Sequence, residues 1–124
     1  YRFIMTSINA LGKTVQSPWG TYKVIEMMDG FQAKTITVIP GGSLSLQSHE
    51  HRDEHWVVVR GIATITVGET QQDYSVNEYI FVPKGAKHRL ENKTDEIVLL
   101  IEVQVGDYLG EDDITRYDDV YGRL

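Results

Sequence analysis

Between Tyr22 and Gln104 the chain alternates apolar and polar residues with period two and is rich in β-branched side chains, the pattern of half-buried strands. The alternation predicts strands at Thr21–Met27, Phe31–Ile39, Leu44–His51, His55–Arg60, Ala63–Val67, Gln71–Ser75, Tyr79–Val82, His88–Asn92 and Ile97–Val105. Turn signals separate them: Asp29-Gly30, Pro40-Gly41-Gly42, Arg60-Gly61, Gly68-Glu69, Pro83-Lys84-Gly85 and the polar stretch Asn92 to Asp95. Short strands spaced by about ten residues indicate a sandwich or a barrel. No helical stripe crosses this region. A short helix is expected only near Glu111–Tyr117, with Asp112 and Asp113 in its first turn. The chain reads as one all-β domain over residues 17–124. Residues 1–16 form an N-terminal extension that could be exchanged as a strand between copies.

Composition narrows the function more than the fold. At 124 residues, 41% hydrophobic and 24% charged, the chain can bury one core and is not disordered in character. It has no cysteine, which excludes disulfides, thiol catalysis, zinc fingers and iron–sulfur clusters. Twelve Lys and Arg stand against 18 Asp and Glu, a net charge of -6, the wrong sign for a nucleic-acid or anionic-membrane surface. No apolar run approaches the roughly 20 residues of a membrane span, and Tyr1 to Met5 lacks a signal-peptide layout. A cytoplasmic location is expected. The missing initiator Met suggests a piece of something longer.

Three of the four histidines fall in Gln47-Ser48-His49-Glu50-His51-Arg52-Asp53-Glu54-His55. On a strand, Gln47, His49 and His51 would share a face. Glu54 would open the next strand, on the face of Trp56 and Val58. An amide oxygen, an imidazole and a carboxylate converging in this way can hold a divalent metal, with His88 the remaining His to complete the set. The competing reading is an exposed edge strand that happens to be rich in His and Glu, and periodicity does not choose between the two faces.

The segment resembles the first cupin motif, G-x5-H-x-H-x4-E-x6-G, at Gly41, Gln47, His49, Glu54 and Gly61, with Gln47 in place of the first His. The second motif, G-x5-P-x-G-x2-H-x3-N, is met by Pro83, Gly85, His88 and Asn92, with Asn77 where its first Gly belongs. The run from Leu44 to Trp56, Ser17-Pro-Trp-Gly-Thr-Tyr22, Lys87 to Asn92, and Glu102 to Asp113 are similar to the C-terminal cupin domain of type II mannose-6-phosphate isomerase/mannose-1-phosphate guanylyltransferase. The resemblance implies a small antiparallel jelly-roll β-barrel holding one divalent ion on Gln47, His49, Glu54 and His88. Zinc is the ion the family implies, and manganese, iron, cobalt or nickel would suit the same donors. It also implies interconversion of mannose 6-phosphate and fructose 6-phosphate, in supply of GDP-mannose and polysaccharide, by a homodimer paired through sheet edges, as cupins of this size commonly are.

For proton transfer the first candidate is His51, whose ordinary pKa near 6.5 suits reversible transfer; a fifth ligand or a rim residue is the alternative role. Glu102 is the second, an acid interrupting the apolar alternation of Ile97–Val105; its alternative is a buried acid paired with an Arg. Arg52, Arg89 and Lys87 are the candidates for binding phosphate, Arg52 foremost because its loop should overhang the metal. Rival functions are a stand-alone metal-binding cupin acting on or sensing another sugar or small acid, and a fragment of the bifunctional enzyme inactive alone.

Overall fold

The structure, a computed structural model, describes residues 11–124. Among these residues eleven strands form: β1 Thr14–Ser17, β2 Gly20–Met28, β3 Phe31–Val38, β4 Leu46–Ser48, β5 Arg52–Arg60, β6 Ala63–Val67, β7 Thr70–Tyr74, β8 Tyr79–Val82, β9 His88–Glu91, β10 Val98–Gly106 and β11 Thr115–Asp118. They make a six-stranded sheet ordered β1-β2-β3-β10-β5-β8 and a five-stranded sheet ordered β11-β4-β9-β6-β7. Every pairing between these strands is antiparallel. The two sheets close on each other as the small jelly roll expected. Among the described residues there is no α-helix, so none long and apolar enough to cross a membrane.

Alternation decides what lies between the sheets. β3 buries Gln32, Lys34, Ile36 and Val38; β5 buries Arg52, Glu54, Trp56 and Val58; β10 buries Val98, Leu100, Glu102 and Gln104. The register lays these rows side by side. Val58 and Ile36 flank Leu100, Trp56 and Lys34 flank Glu102, and Glu54 and Gln32 flank Gln104. Each inward row is therefore apolar at one end and polar at the other. The apolar ends join Trp19, Leu44, Ala63, Ile65, Ile80, Val82 and Leu90 in one core. Each fully buried aliphatic or aromatic side chain contributes about 1.5–3 kcal/mol there. The polar ends form a chamber stacked on that core.

Asn77 stands where the second motif has glycine, and it adopts φ 76°, the left-handed region. Asn tolerates that region better than most residues, so the turn into β8 survives the exchange. Asn92 closes the opposite connection: its amide donates to the carbonyls of Val38, Ile39 and Glu96.

Three expectations are corrected. The strand expected over Leu44–His51 is only Leu46–Ser48, and β5 begins at Arg52 rather than His55. The backbone bends between them because the Asp113 carboxylate accepts from the amides of Glu50 and His51, at 2.9 and 3.0 Å. No helix forms over Glu111–Tyr117: a turn leads into β11, which covers the free edge of β4. β4 needs that partner, and Asp113, the supposed helix-capping acid, is used on the 50–51 bend instead. β1 extends pairing to Thr14, antiparallel to β2 of the same chain. The proposed exchange of the N-terminal extension otherwise lies outside the described residues.

Candidate metal centre

β4 and the bend after it deliver His49, β5 delivers Glu54, and β9 delivers His88. All three are buried, and one ligand atom from each lies within 4.8 Å of the others. His49 Nδ1 lies 2.7 Å from the Asp113 carbonyl and His88 Nδ1 3.0 Å from that of Ala86. A carbonyl oxygen only accepts, so each ring carries its proton on Nδ1 and turns Nε2 toward the cluster. Burial, reinforced by Arg52 and His88, outweighs Glu54 and lowers the His49 pKa to about 4. His49 is therefore a neutral ring at pH 7.

Glu54 sits at the centre. Burial alone would raise its carboxyl, but the Arg52 guanidinium beside it outweighs burial and holds it well below the usual carboxylate range. Its Oε2 accepts from Arg52 Nε at 2.8 Å and faces His49 Nε2 at 3.2 Å. Its Oε1 accepts from Trp56 Nε1 at 3.1 Å and stands 3.8 Å from His88 Nε2. His88 Nε2 is buried with no hydrogen-bond partner. A buried imidazole nitrogen left without a partner beside a carboxylate oxygen is an arrangement that a cation between them would satisfy. The donor set, two imidazole nitrogens and one carboxylate, fits a divalent ion. Gln47, opposite His88 in the β4–β9 register, brings an amide to the same cavity, where its Oε1 accepts from Ser45 Oγ at 3.1 Å.

The cavity has a volume of about 240 Å³ and is walled by His49, Glu54, Gln47, Glu102 and four cations, Lys34, Arg52, Arg116 and Arg123. Glu102 is buried. Its Oε2 accepts from Trp56 Nε1 at 3.0 Å, and its Oε1 accepts from Gln104 Nε2 at 2.7 Å. Burial first, then the neighbouring Glu54 charge, raises its carboxyl well above the usual range. The expected Arg partner is replaced by an indole and an amide. Trp56 thus does more than pack the core, since its one N–H is shared between Glu54 and Glu102.

Of the other residues expected at the site, Arg52 is in the cavity, but as the first residue of β5 rather than on an overhanging loop. Its Nη2 donates to His49 Nε2 at 3.3 Å, and its Nη1 is buried without a partner. His51 lies elsewhere. Its side chain is 51% exposed, 3.5 Å from Asp107 and edge-on to Tyr108, on a separate concavity with Glu50 and Asp112. The strand parity that would aim it at the ligands ends with β4 at Ser48. Arg89 turns to the Leu44 carbonyl and to Asp118, and Lys87 lies over the Tyr117 ring; neither lines the cavity. His55 packs on the outer face against Tyr79 and Phe81.

Sequence reasoning passed over Lys34 and Arg116. Lys34 carried a signal, its inward parity with Ile36 and Val38. Arg116 carried none until β11 was known to be a strand. The acidic stretch at 111–119, from which the sequence predicts only a short helix, is engaged at the site. Glu111 holds Lys34 at 2.8 Å, Asp113 the ligand bend and Asp119 the Arg123 guanidinium.

Comparisons with known proteins agree with this geometry. The chain is 51% identical over 111 residues to xanthan biosynthesis protein XanB of Xanthomonas campestris pv. campestris, covering 90% of this chain and 24% of that one. It is 47% identical over 111 residues to a mannose-1-phosphate guanylyltransferase of Salmonella montevideo, covering 90% and 24%. The chain thus spans about a quarter of the length of these curated relatives. Among solved structures, the cupin domain of Schizosaccharomyces pombe Cnp3 superposes with a TM-score of 0.68 at 18% identity, over 70% of this chain and 61% of that one, a likeness of fold alone. The family model described as mannose-6-phosphate isomerase C-terminal matches residues 6–119. The cupin motifs, the jelly roll and this match agree, and the chain belongs to the mannose-6-phosphate isomerase C-terminal family.

Proposed function

We propose that this chain is the isomerase domain of a longer, two-activity sugar-phosphate enzyme, and that mannose 6-phosphate and fructose 6-phosphate interconvert in its cavity. The observation that carries the reading is the convergence of buried His49, Glu54 and His88, their ligand atoms within 4.8 Å of one another, beside a cation-lined cavity. The lengths of the relatives, four times the matched segment, support the larger enzyme. Their names place them in polysaccharide and mannose 1-phosphate metabolism, which is the setting an isomerase of this kind would serve.

The reaction moves a proton between C2 and C1 and relocates the carbonyl. Gln47, His49, Glu54 and His88 would hold a divalent ion, zinc by the family's habit. When bound, the ion supplies Lewis-acid polarisation of the sugar oxygens. Arg52 fixes the Glu54 carboxylate through its 2.8 Å bond, so the ligand does not rotate away. Among the described residues two cavity carboxyls lie outside the ligand cluster; Glu111 is paired with Lys34, and Glu102 is held by Trp56 and Gln104, so the proton transfer is assigned to Glu102. Trp19 and Tyr22, stacked at 6.5 Å, form an apolar wall for the sugar. A second copy of the chain would cover Val57, Val59, Tyr79 and Phe81, exposed on β5 and β8, and sedimentation velocity reads that homodimer directly.

The test is fructose 6-phosphate formation from mannose 6-phosphate, by metal-stripped protein and after zinc, manganese, cobalt or iron is restored. Metal-dependent turnover abolished by His49→Ala and by His88→Ala supports the reading. Turnover only when the chain is joined to a guanylyltransferase part supports its fragment form. Absence of turnover in both settings overturns it.

A further inference from the structure

Among the described residues four cations line the cavity, and three are held by carboxylates. Lys34 is bound by Glu111, Arg52 by Glu54 and Arg123 by Asp119, each at 2.8 Å. Among the described residues Arg116 has no ion pair, and its Nε is buried without a hydrogen-bond partner. A guanidinium taken partly out of water with neither carboxylate nor carbonyl to receive it is costly to hold. Its position suggests what offsets that cost.

β11 sets Arg116 directly opposite Gln47, and β4 sets Gln47 opposite His88. One row across three strands thus reads His88, Gln47, Arg116, running from the metal cluster outward. Arg116 and Gln47 both face the cavity, and directly opposed side chains on an antiparallel pair start with Cβ atoms about 4.5–5.5 Å apart. Arg116 is therefore next to the ligand set but one strand beyond it. A hexose phosphate held at C1 and C2 by the cluster carries its phosphate at the other end of the carbon chain. The planar fork of an Arg suits a phosphate dianion, to which it can donate two parallel bonds.

We propose that Arg116 is the phosphate anchor of this cavity and sets its preference for phosphorylated over free sugars. The proposal rests on the sugar-phosphate reading above. It takes the anchoring role from Arg89 and Lys87, whose side chains are engaged outside the cavity. Arg52, spent on Glu54 and His49, is left to position the ligands.

Calorimetric titration of the protein with mannose 6-phosphate, mannose and inorganic phosphate tests this, with Arg116→Gln, Arg116→Lys and Lys87→Gln compared with the unaltered chain. Loss of a charge-assisted contact predicts that Arg116→Gln weakens mannose 6-phosphate binding by about 10- to 100-fold. Mannose binding should stay unchanged, Arg116→Lys should recover part of the loss, and Lys87→Gln should bind normally. The melting temperature of Arg116→Gln should equal or exceed that of the unaltered chain, because an unpaired cation is removed; a merely structural Arg116 would lower it. Equal binding of mannose 6-phosphate by Arg116→Gln and the unaltered chain would overturn the assignment. So would equal affinity of the unaltered chain for mannose and mannose 6-phosphate, or binding of neither. If Arg116-dependent binding is found without isomerisation, the anchor stands and the isomerase reading fails.

Discussion

Replacing Glu54 by Gln keeps the shape of the side chain and removes its charge, which isolates the ion pair at the centre of the site. Glu54 is 1% exposed and Arg52 5% exposed, with 2.8 Å between Oε2 and Nε. At an effective dielectric of about 20, unit charges about 4 Å apart attract by about 4 kcal/mol. Breaking a buried pair from one side costs about 3–5 kcal/mol, because the other charge stays buried alone. Glu54→Gln in chelator-treated protein should therefore lose about 4 kcal/mol by urea unfolding. Arg52→Met should lose a comparable amount. The double variant, with no charge left unpaired, should cost about 3 kcal/mol less than the sum of the singles. Zinc should raise the midpoint of the unaltered chain by mass action and leave Glu54→Gln where it was. Additivity of the two substitutions within about 0.5 kcal/mol, the ordinary scatter of independent sites, would refute the ion pair as an energetic unit.

Gly106 lies opposite Arg52, and a Cβ there would fall 2.0 Å from the His51 carbonyl oxygen and 2.8 Å from Arg52 Cα. Gly106→Ala should destabilise by more than about 2 kcal/mol and weaken zinc binding in a chelator competition. Gly68→Ala, at φ 61° in open space, should cost about 1–2 kcal/mol and leave zinc binding intact. Asn92→Asp, which points an oxygen at the carbonyls of Val38, Ile39 and Glu96, should lower the thermal midpoint more than Asn92→Ala; the reverse order would discount those three bonds. The pH dependence follows from His49, whose pKa falls from 6.5 unfolded to about 4 folded. The unfolded chain binds the proton first, so this contribution is complete above pH 6.5 and lost as pH falls toward 4. In metal-free protein the stability advantage over His49→Gln should shrink by about 2 kcal/mol from pH 7 to pH 5, and a constant advantage would show that His49 is not held neutral.

Period-two alternation from Tyr22 to Gln104 was enough to determine an all-β sandwich or barrel, because strand parity is local: it needs only the neighbours two residues away. The two motifs likewise picked out His49, Glu54 and His88, and Glu102 stood out as an acid in an apolar strand. What no local pattern contains is where a strand stops and which strand lies beside it. His51 has the parity of His49 but not its direction, because Asp113, more than sixty residues on, bends the chain after Ser48. Arg116 sits in an acidic stretch that reads as surface until β11 pairs with β4 and places it against Gln47. Nothing local to Trp56 shows that the β5–β10 register puts its N–H between Glu54 and Glu102. The sequence by itself determined the all-β class and, through the cupin motifs, singled out His49, Glu54 and His88, which meet in one cluster. Tertiary structure decided which charges share the cavity, because side chains distant in the chain meet only through the register of paired strands and the bends that end them.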